Sequence, residues 1–379
     1  MRLLGSAMQV WRFEGRYAVL FALCSILVLL QVASQFLVLP KMLHMRMACR
    51  MARMIPSYVV HDGELRAFSS SRSPVMHKYS LREYRERGVK QSLQFGPQKL
   101  EPMPVLFIPG NAGSYAQVRS LAASSWDQYW QGQMDMPAVE FFNASGPLLW
   151  YTIDFNEDFS AFHGQTLHDQ AFYVNEVLRY LRYLHPSADN GMLREGEQST
   201  TVAVVGHSMG GIVARLALEL DNYLPGTVDT IVTLSSPHAF PPVPFDRSID
   251  RVYQKINRAH SDGHAPLIIS LAGGVLDTQL SSDASSLSLA RLGPPESRLS
   301  SFTTSIAALW SSTDHLAIVW CDQLRFKIAR ALLRDYEHFG RLFDERSTPD
   351  VRAARHEVWR TILGLSLIHI SEPTRPRLI

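Results

Sequence analysis

Cysteine is scarce in this chain: three among 379 residues, at positions 24, 49 and 321. No Cys-x-x-Cys pair and no Cys/His cluster of zinc-ligand spacing occurs, so a structural metal module is not expected. Cys24 lies in an apolar run, whereas Cys49 and Cys321 are open to two readings, one disulfide in an oxidising compartment or two reduced buried thiols. Charge of one sign is lacking too. Lys and Arg total 37 against 35 Asp and Glu, a formal net charge of +2, and there is no long block of like charges. Such a balance gives no reason to expect a nucleic-acid partner. No internal repeat is found, and no Gly-Lys-Ser/Thr follows the glycine-rich loop after Ile108, which excludes a nucleotide phosphate-binding loop. What is present is apolar: 46% hydrophobic against 19% charged residues describes a globular chain long enough to bury one large core.

One uncharged stretch stands out. Tyr17 to Pro40 carries no charge and contains AVLFALCSILVLLQVASQFLVL. Crossing the hydrocarbon core takes about 20 apolar residues, because no water is there to satisfy the backbone. A cleaved signal peptide has a shorter apolar region, about 7–15 residues, so 17–40 reads as a retained transmembrane helix behind a flank at 1–16. Its orientation is open from the residues alone. Lys41, Arg46, Arg50 and Arg53 outnumber Arg2, Arg12 and Arg16, favouring a cytosolic downstream side. Asn143-Ala144-Ser145, a glycosylation acceptor triplet, favours the lumen instead.

Residues 41–100 are basic and then polar, and read as a juxtamembrane segment with little regular structure. From Pro104 the character changes. Val105–Ile108, Leu148–Ile153, Thr201–Val205, Ile231–Leu234, Leu267–Leu271 and the region of Ile306–Leu309 are short apolar runs of buried-strand type. Between them Val174, Val177, Leu178, Leu181 and Leu184 recur at helical spacing, as do Ile212, Val213, Leu216 and Leu220. Alternating strands and helices predict a doubly wound, mostly parallel sheet over 101–345. Ser281–Ser301 reads as a surface loop. The tail, 346–379, ends from about Leu365 in a stretch without periodicity that reads as foreign sequence.

The chemistry is carried by Gly206-His207-Ser208-Met209-Gly210, which fits G-x-S-x-G directly after a strand and directly before a helix. That context identifies a nucleophile elbow of the α/β-hydrolase type. The turn is so tight that Gly206 and Gly210 are needed sterically, and Ser208 is exposed to a substrate carbonyl. The oxyanion would be met by the amide of Met209 and by an amide of the loop after the strand at Val105–Ile108, at Asn111 or Ala112. Chain order in this fold is serine, acid, histidine. His315, in the late polar turn SSTDHLAIVW, is the expected base. Asp277, in the loop after LIISLAGG, is the expected acid, with Asp246 second. His238 follows too soon after the elbow and is expected to shape the pocket instead. The proline-rich stretch Ala239–Phe245, with Phe240 and Phe245, reads either as part of an acyl channel or as a stiffened surface loop.

PVLFIPGNAGSYAQVRS, DFNEDFSAFHG, VAVVGHSMGGIVARLAL, SSPHAFPPVPFDR, LAGGVLDTQL and STDHLAIVWC resemble the GPI inositol-deacylase family, as does CRMARMIPSYVV after the apolar segment. The resemblance runs from about residue 17 to 330. It implies a serine esterase, needing no cofactor or metal, that removes the fatty acyl chain from the inositol of GPI-anchored proteins and so supports their export. It implies an endoplasmic-reticulum membrane protein with a lumenal hydrolase domain, in which Ser208, Asp277 and His315 form the triad. The family's chain is much longer, with further membrane helices. A general membrane lipase or acyltransferase, and a catalytically dead trafficking protein on the same fold, are the competing readings.

Overall fold

The computed structural model describes residues 22–33, 49, 53–88, 102–131, 146–186, 200–243, 245–257, 265–288, 290, 295–340 and 346–365. Asn143, and the expected foreign sequence beyond Leu365, lie outside them. The chain divides into two units, Met1–Ala48 and Cys49–Ile379. In the first, residues 22–33 are helical, and Leu27, Val28, Leu29 and Leu30 expose most of their apolar surface. Among the described residues no helix is long and apolar enough to cross a membrane. Of the helix expected over 17–40, residues 22–33 are described and are helical; the others lie outside the described residues.

The second unit is built on one eight-stranded sheet in the order β1-β2-β4-β3-β5-β6-β7-β8. Its strands are β1 (Pro56–Val60), β2 (Ser80–Glu86), β3 (Met103–Ile108), β4 (Leu148–Asp154), β5 (Val202–His207), β6 (Val228–Leu234), β7 (Leu267–Ala272) and β8 (Arg298–Phe302). β2 pairs antiparallel with β1 and β4; from β4 to β8 every pairing is parallel. Successive side chains of a strand point to opposite faces. Accordingly Leu106 and Ile108 of β3, with Val202 and Val204 of β5, join one apolar cluster, while Val105, Phe107, Ala203 and Val205 join the other. Both faces are covered, which is why the central strands read as unbroken apolar runs. Helices α1 (Asp62–Phe68), α3 (Gly164–Leu184), α4 (Met209–Ala217) and α5 (Arg247–Ile256) lie on the first face; α2 (Arg119–Trp126), α6 (Asp322–Phe339) and α7 (Pro349–Leu363) lie on the second. This is the doubly wound α/β-hydrolase sheet, with β5 at its centre.

Three expectations are corrected. The segment 41–100 contains β1, α1 and β2, an integral edge of the sheet. Its β2 was hidden because charged residues fill buried positions: Glu83 takes hydrogen bonds from Arg85 at 2.8 and 3.1 Å and faces His61 at 3.1 Å. The eighth strand is Arg298–Phe302, inside the expected Ser-rich loop, and not the region of Ile306–Leu309. There, Ile306 and Leu309 are buried one turn apart while Ala308 sits at φ 67°, outside any strand conformation. The tail from 346 is folded as far as Gly364. Arg346 and α7's Arg355 meet Asp229 of β6 and Asp335 of α6 in a wholly buried four-residue ion network, with Arg355 Nε donating to Asp335 at 2.9 Å. The open question about cysteine is answered by a disulfide between Cys49 and Cys321; Cys24 is free.

Candidate active site

β5 ends at His207 and α4 begins at Met209, so a single residue makes the turn between strand and helix. That residue is Ser208, at φ 53° and ψ −124°, a conformation an L-residue adopts only under constraint. The constraint is steric. A Cβ on Gly206 would stand 2.6 Å from the Gly211 amide nitrogen, and one on Gly210 would run into the Ile108 carbonyl. The amide of Ser208 still donates to Leu234 of β6 at 2.8 Å, keeping the elbow in the sheet while its side chain is turned out.

The glycine-rich loop after β3 lies directly on the elbow: a Cβ at Gly110 would be 2.6 Å from that of Ser208. Of the two loop amides named above, Ala112 donates to the Asp158 carbonyl at 3.0 Å and is not available to a substrate. The amide of Asn111 has no acceptor among the described residues, and neither does that of Met209 in the first turn of α4. These two amides are the ones the geometry leaves open to an acceptor near Ser208. The Asn111 side chain contributes as well, its Oδ1 accepting from Ala161 at 2.9 Å. The segment after β4, which includes DFNED, thus holds the glycine loop from both sides.

Asp277 and His315 come from the loops after β7 and β8 and meet. His315 Nδ1 is 3.0 Å from each carboxylate oxygen, and both residues are buried. Burial pushes the Asp277 carboxyl up, but the bond and charge of His315, with the Gln279 amide, hold it below the ordinary value. The two loops are laced together at Gly273, whose carbonyl accepts from the Thr313 amide at 2.9 Å and whose missing Cβ makes room for the Thr313 carbonyl. On the other side the ring of His315 lies 5.0 Å from that of His207, the neighbour of Ser208. Ser208, Asp277 and His315 therefore follow β5, β7 and β8 at the carboxyl ends of parallel strands, with His315 tied to Asp277 by its ring and to His207, the neighbour of Ser208, by its carbonyl.

The remaining candidates have other work. Asp246 caps α5 through the Ser248 amide at 2.8 Å and also accepts from Gly164, the first residue of α3, at 3.0 Å. One carboxylate joins two helix starts, and it is far from free to serve a histidine. His238 is fully buried between Arg215 and Thr233 and does not shape a pocket. Asp314 caps its own loop at Leu316 and Ala317, both at 2.9 Å. Phe245 stands in solvent and stacks on Phe162, 6.5 Å away, beside the segment that supports the glycine loop. Among the described residues no group of His, Cys, Asp and Glu could hold a metal ion.

Residues 99–335 match the family model described as PGAP1-like alpha/beta domain. A GPI inositol-deacylase of Kluyveromyces lactis is 41% identical over 297 residues, covering 75% of this chain and 29% of that protein. One of Neurospora crassa is 43% identical over 341 residues, 86% of this chain and 26% of that protein. One of Aspergillus oryzae is 40% identical over 344 residues, 87% and 30% respectively. The chain thus spans less than a third of the length of these relatives. Among solved structures, the Bacillus licheniformis lipase BlEst2 overlays loosely, with a TM-score of 0.40 at 17% identity over 64% of this chain and 96% of that one. By its sequence match over most of the hydrolase domain, the chain belongs to the family of the PGAP1-like alpha/beta domain.

Proposed function

We propose that this chain is the serine-esterase portion of a GPI inositol-deacylase, which removes the acyl chain from the inositol of GPI-anchored proteins. In this reading Ser208 attacks the acyl carbonyl, His315 accepts its proton, and Asp277 holds the imidazole tautomer and stabilises the imidazolium. The amides of Met209 and Asn111 take the oxyanion. His315 then returns the proton to the inositol oxygen as it leaves, and water releases the fatty acid by the same route. The observation that carries the reading is the buried Asp277–His315 pair, 3.0 Å apart, whose His315 carbonyl is 2.8 Å from His207, the residue before a strained Ser208.

An acylated lipid as substrate is supported by the apolar side chains exposed around those loops. Val275 and Leu276 precede the acid, Leu316 follows the base, and Phe159 and Phe245 lie near Phe162 in and beside the segment that supports the glycine loop. The relatives' printed name supplies the inositol ester as the particular bond. Residues 17–40 are proposed as a membrane anchor, supported by the outward apolar side chains of 22–33. A hydrolase domain on the lumenal side of the endoplasmic-reticulum membrane, with Asn143 glycosylated, is supported by the Cys49–Cys321 disulfide, which persists in an oxidising compartment. The export role of the reaction is part of the same proposal.

The test is to express the chain, joined to the remainder of its full-length protein, in cells lacking inositol deacylation. GPI-anchored proteins should become cleavable by inositol-specific phospholipase C with the wild-type serine and stay resistant with Ser208→Ala. Resistance with both, in a chain that a fluorophosphonate still labels, would instead favour a general lipase.

A further inference from the structure

His207 fills a position that the elbow motif leaves open to many residues. Its side chain is buried, and its Nε2 lies 2.8 Å from the carbonyl oxygen of His315. A carbonyl only accepts, so Nε2 carries the hydrogen and Nδ1 is bare. Nδ1 meets no partner among the described residues, and a proton placed there would be buried without an acceptor. Burial first, and then the charge of His315, push the imidazole down to about 4, opposed by its bond to the His315 carbonyl and then by the charge of Asp277. The ring is a neutral donor of fixed tautomer.

What this bond joins matters more than its strength. Near His315 the other ties of its loop run to the acid loop, Nδ1 to Asp277 and the Thr313 amide to Gly273, while further back the Ala307 amide reaches Leu363 of α7. The acid-loop anchors follow β7, which is separated from β5 by β6. They fix the base relative to the acid but leave its separation from the serine unset. The His207 bond runs from the residue adjoining Ser208 to the backbone of His315 itself, across 108 positions of sequence. We propose that His207 is a positioning residue, whose Nε2–H holds the backbone of His315 against the nucleophile elbow and so sets the distance over which the Ser208 proton is transferred. The role rests on Ser208 and His315 being nucleophile and base.

The test is the rate at which a fluorophosphonate labels Ser208, measured per folded molecule across neutral pH. His207→Phe keeps a ring of similar volume and removes the donor; His207→Gln restores an N–H at comparable reach. A misplacement of about 1 Å costs on the order of 10²-fold, so the Phe variant should label about 100-fold more slowly at every pH, and the Gln variant should recover most of that loss. A merely structural residue would lower the melting temperature of both variants without slowing the folded fraction. Labelling of the Phe variant at the wild-type rate, or a Gln variant as slow as Phe, overturns the role. Should the Phe variant not fold, nitrogen-15 NMR of the wild-type chain decides: a neutral Nε2–H ring is expected at neutral pH, and an Nδ1–H tautomer overturns the proposal. A wild-type chain that is not labelled at all sinks the nucleophile reading, and the positioning role with it.

Discussion

At the scale of single residues, the fold holds two imidazoles uncharged where water would let them titrate. His207 and His238 are both fully buried, and burial pushes both down, His207 to about 4 and His238 well below the ordinary value of 6.5. The unfolded chain binds a proton at each below about pH 6.5, and the folded chain does not until the pH is much lower. The unfolded state therefore carries more protons in that window, and stability falls as the pH falls from 6.5 towards 4, by about 1.4 kcal/mol per pH unit for each group. Asp277 acts lower down: its depressed folded value contributes stability above the unfolded carboxyl range, which is lost only as the pH drops through its folded value. Chemical denaturation at a series of pH values should show the loss beginning near pH 6.5, and His207→Phe should make it shallower. An unchanged slope in that variant would contradict the buried neutral ring.

Elements differ in how plainly the sequence announced them. β3 to β7 were legible because a strand covered on both faces must be apolar throughout, and Ser208 was legible because its strain is created by immediate neighbours. β1, β2 and β8 were not. They lie towards the sheet's edges, where one face carries polar groups, and in β2 the buried positions after Leu81 are filled by Glu83, Tyr84 and Glu86. His315 and Asp277 were reached by chain order and loop context, and the pair does meet. The His207–His315 bond left no trace in the sequence, since nothing local relates positions so far apart. The folded part of the tail was missed for the same reason: α7 is anchored by Arg355 to acids on β6 and α6. Both acids there are buried, and Asp335 is held at about 2 against its burial by Arg346 and Arg355. Arg355→Met should cost on the order of 3–5 kcal/mol, because it leaves those carboxylates short of a buried partner. Denaturant unfolding measures it, and a loss under about 1 kcal/mol would show that α7 is only an appendage.

For the whole molecule, the disulfide is the longest-range constraint among the described residues. It ties Cys49, which packs against the second apolar cluster, to Cys321 just before α6, across 272 positions. Closing so large a loop restricts the unfolded chain, typically by about 2–4 kcal/mol. Cys321→Ser should lower the unfolding free energy by that much, and a reducing agent should do the same to the wild-type chain but nothing further to the variant. The central claim is that Ser208 is made nucleophilic by a base carried to it from the loop after β8 and steadied by Asp277. Its most direct measurement is mass-spectrometric mapping of the fluorophosphonate adduct together with its rate of formation. The account expects one adduct, on Ser208, forming at least about 10³-fold more slowly in His315→Gln. An adduct on another residue, or undiminished labelling of Ser208 without His315, would contradict it.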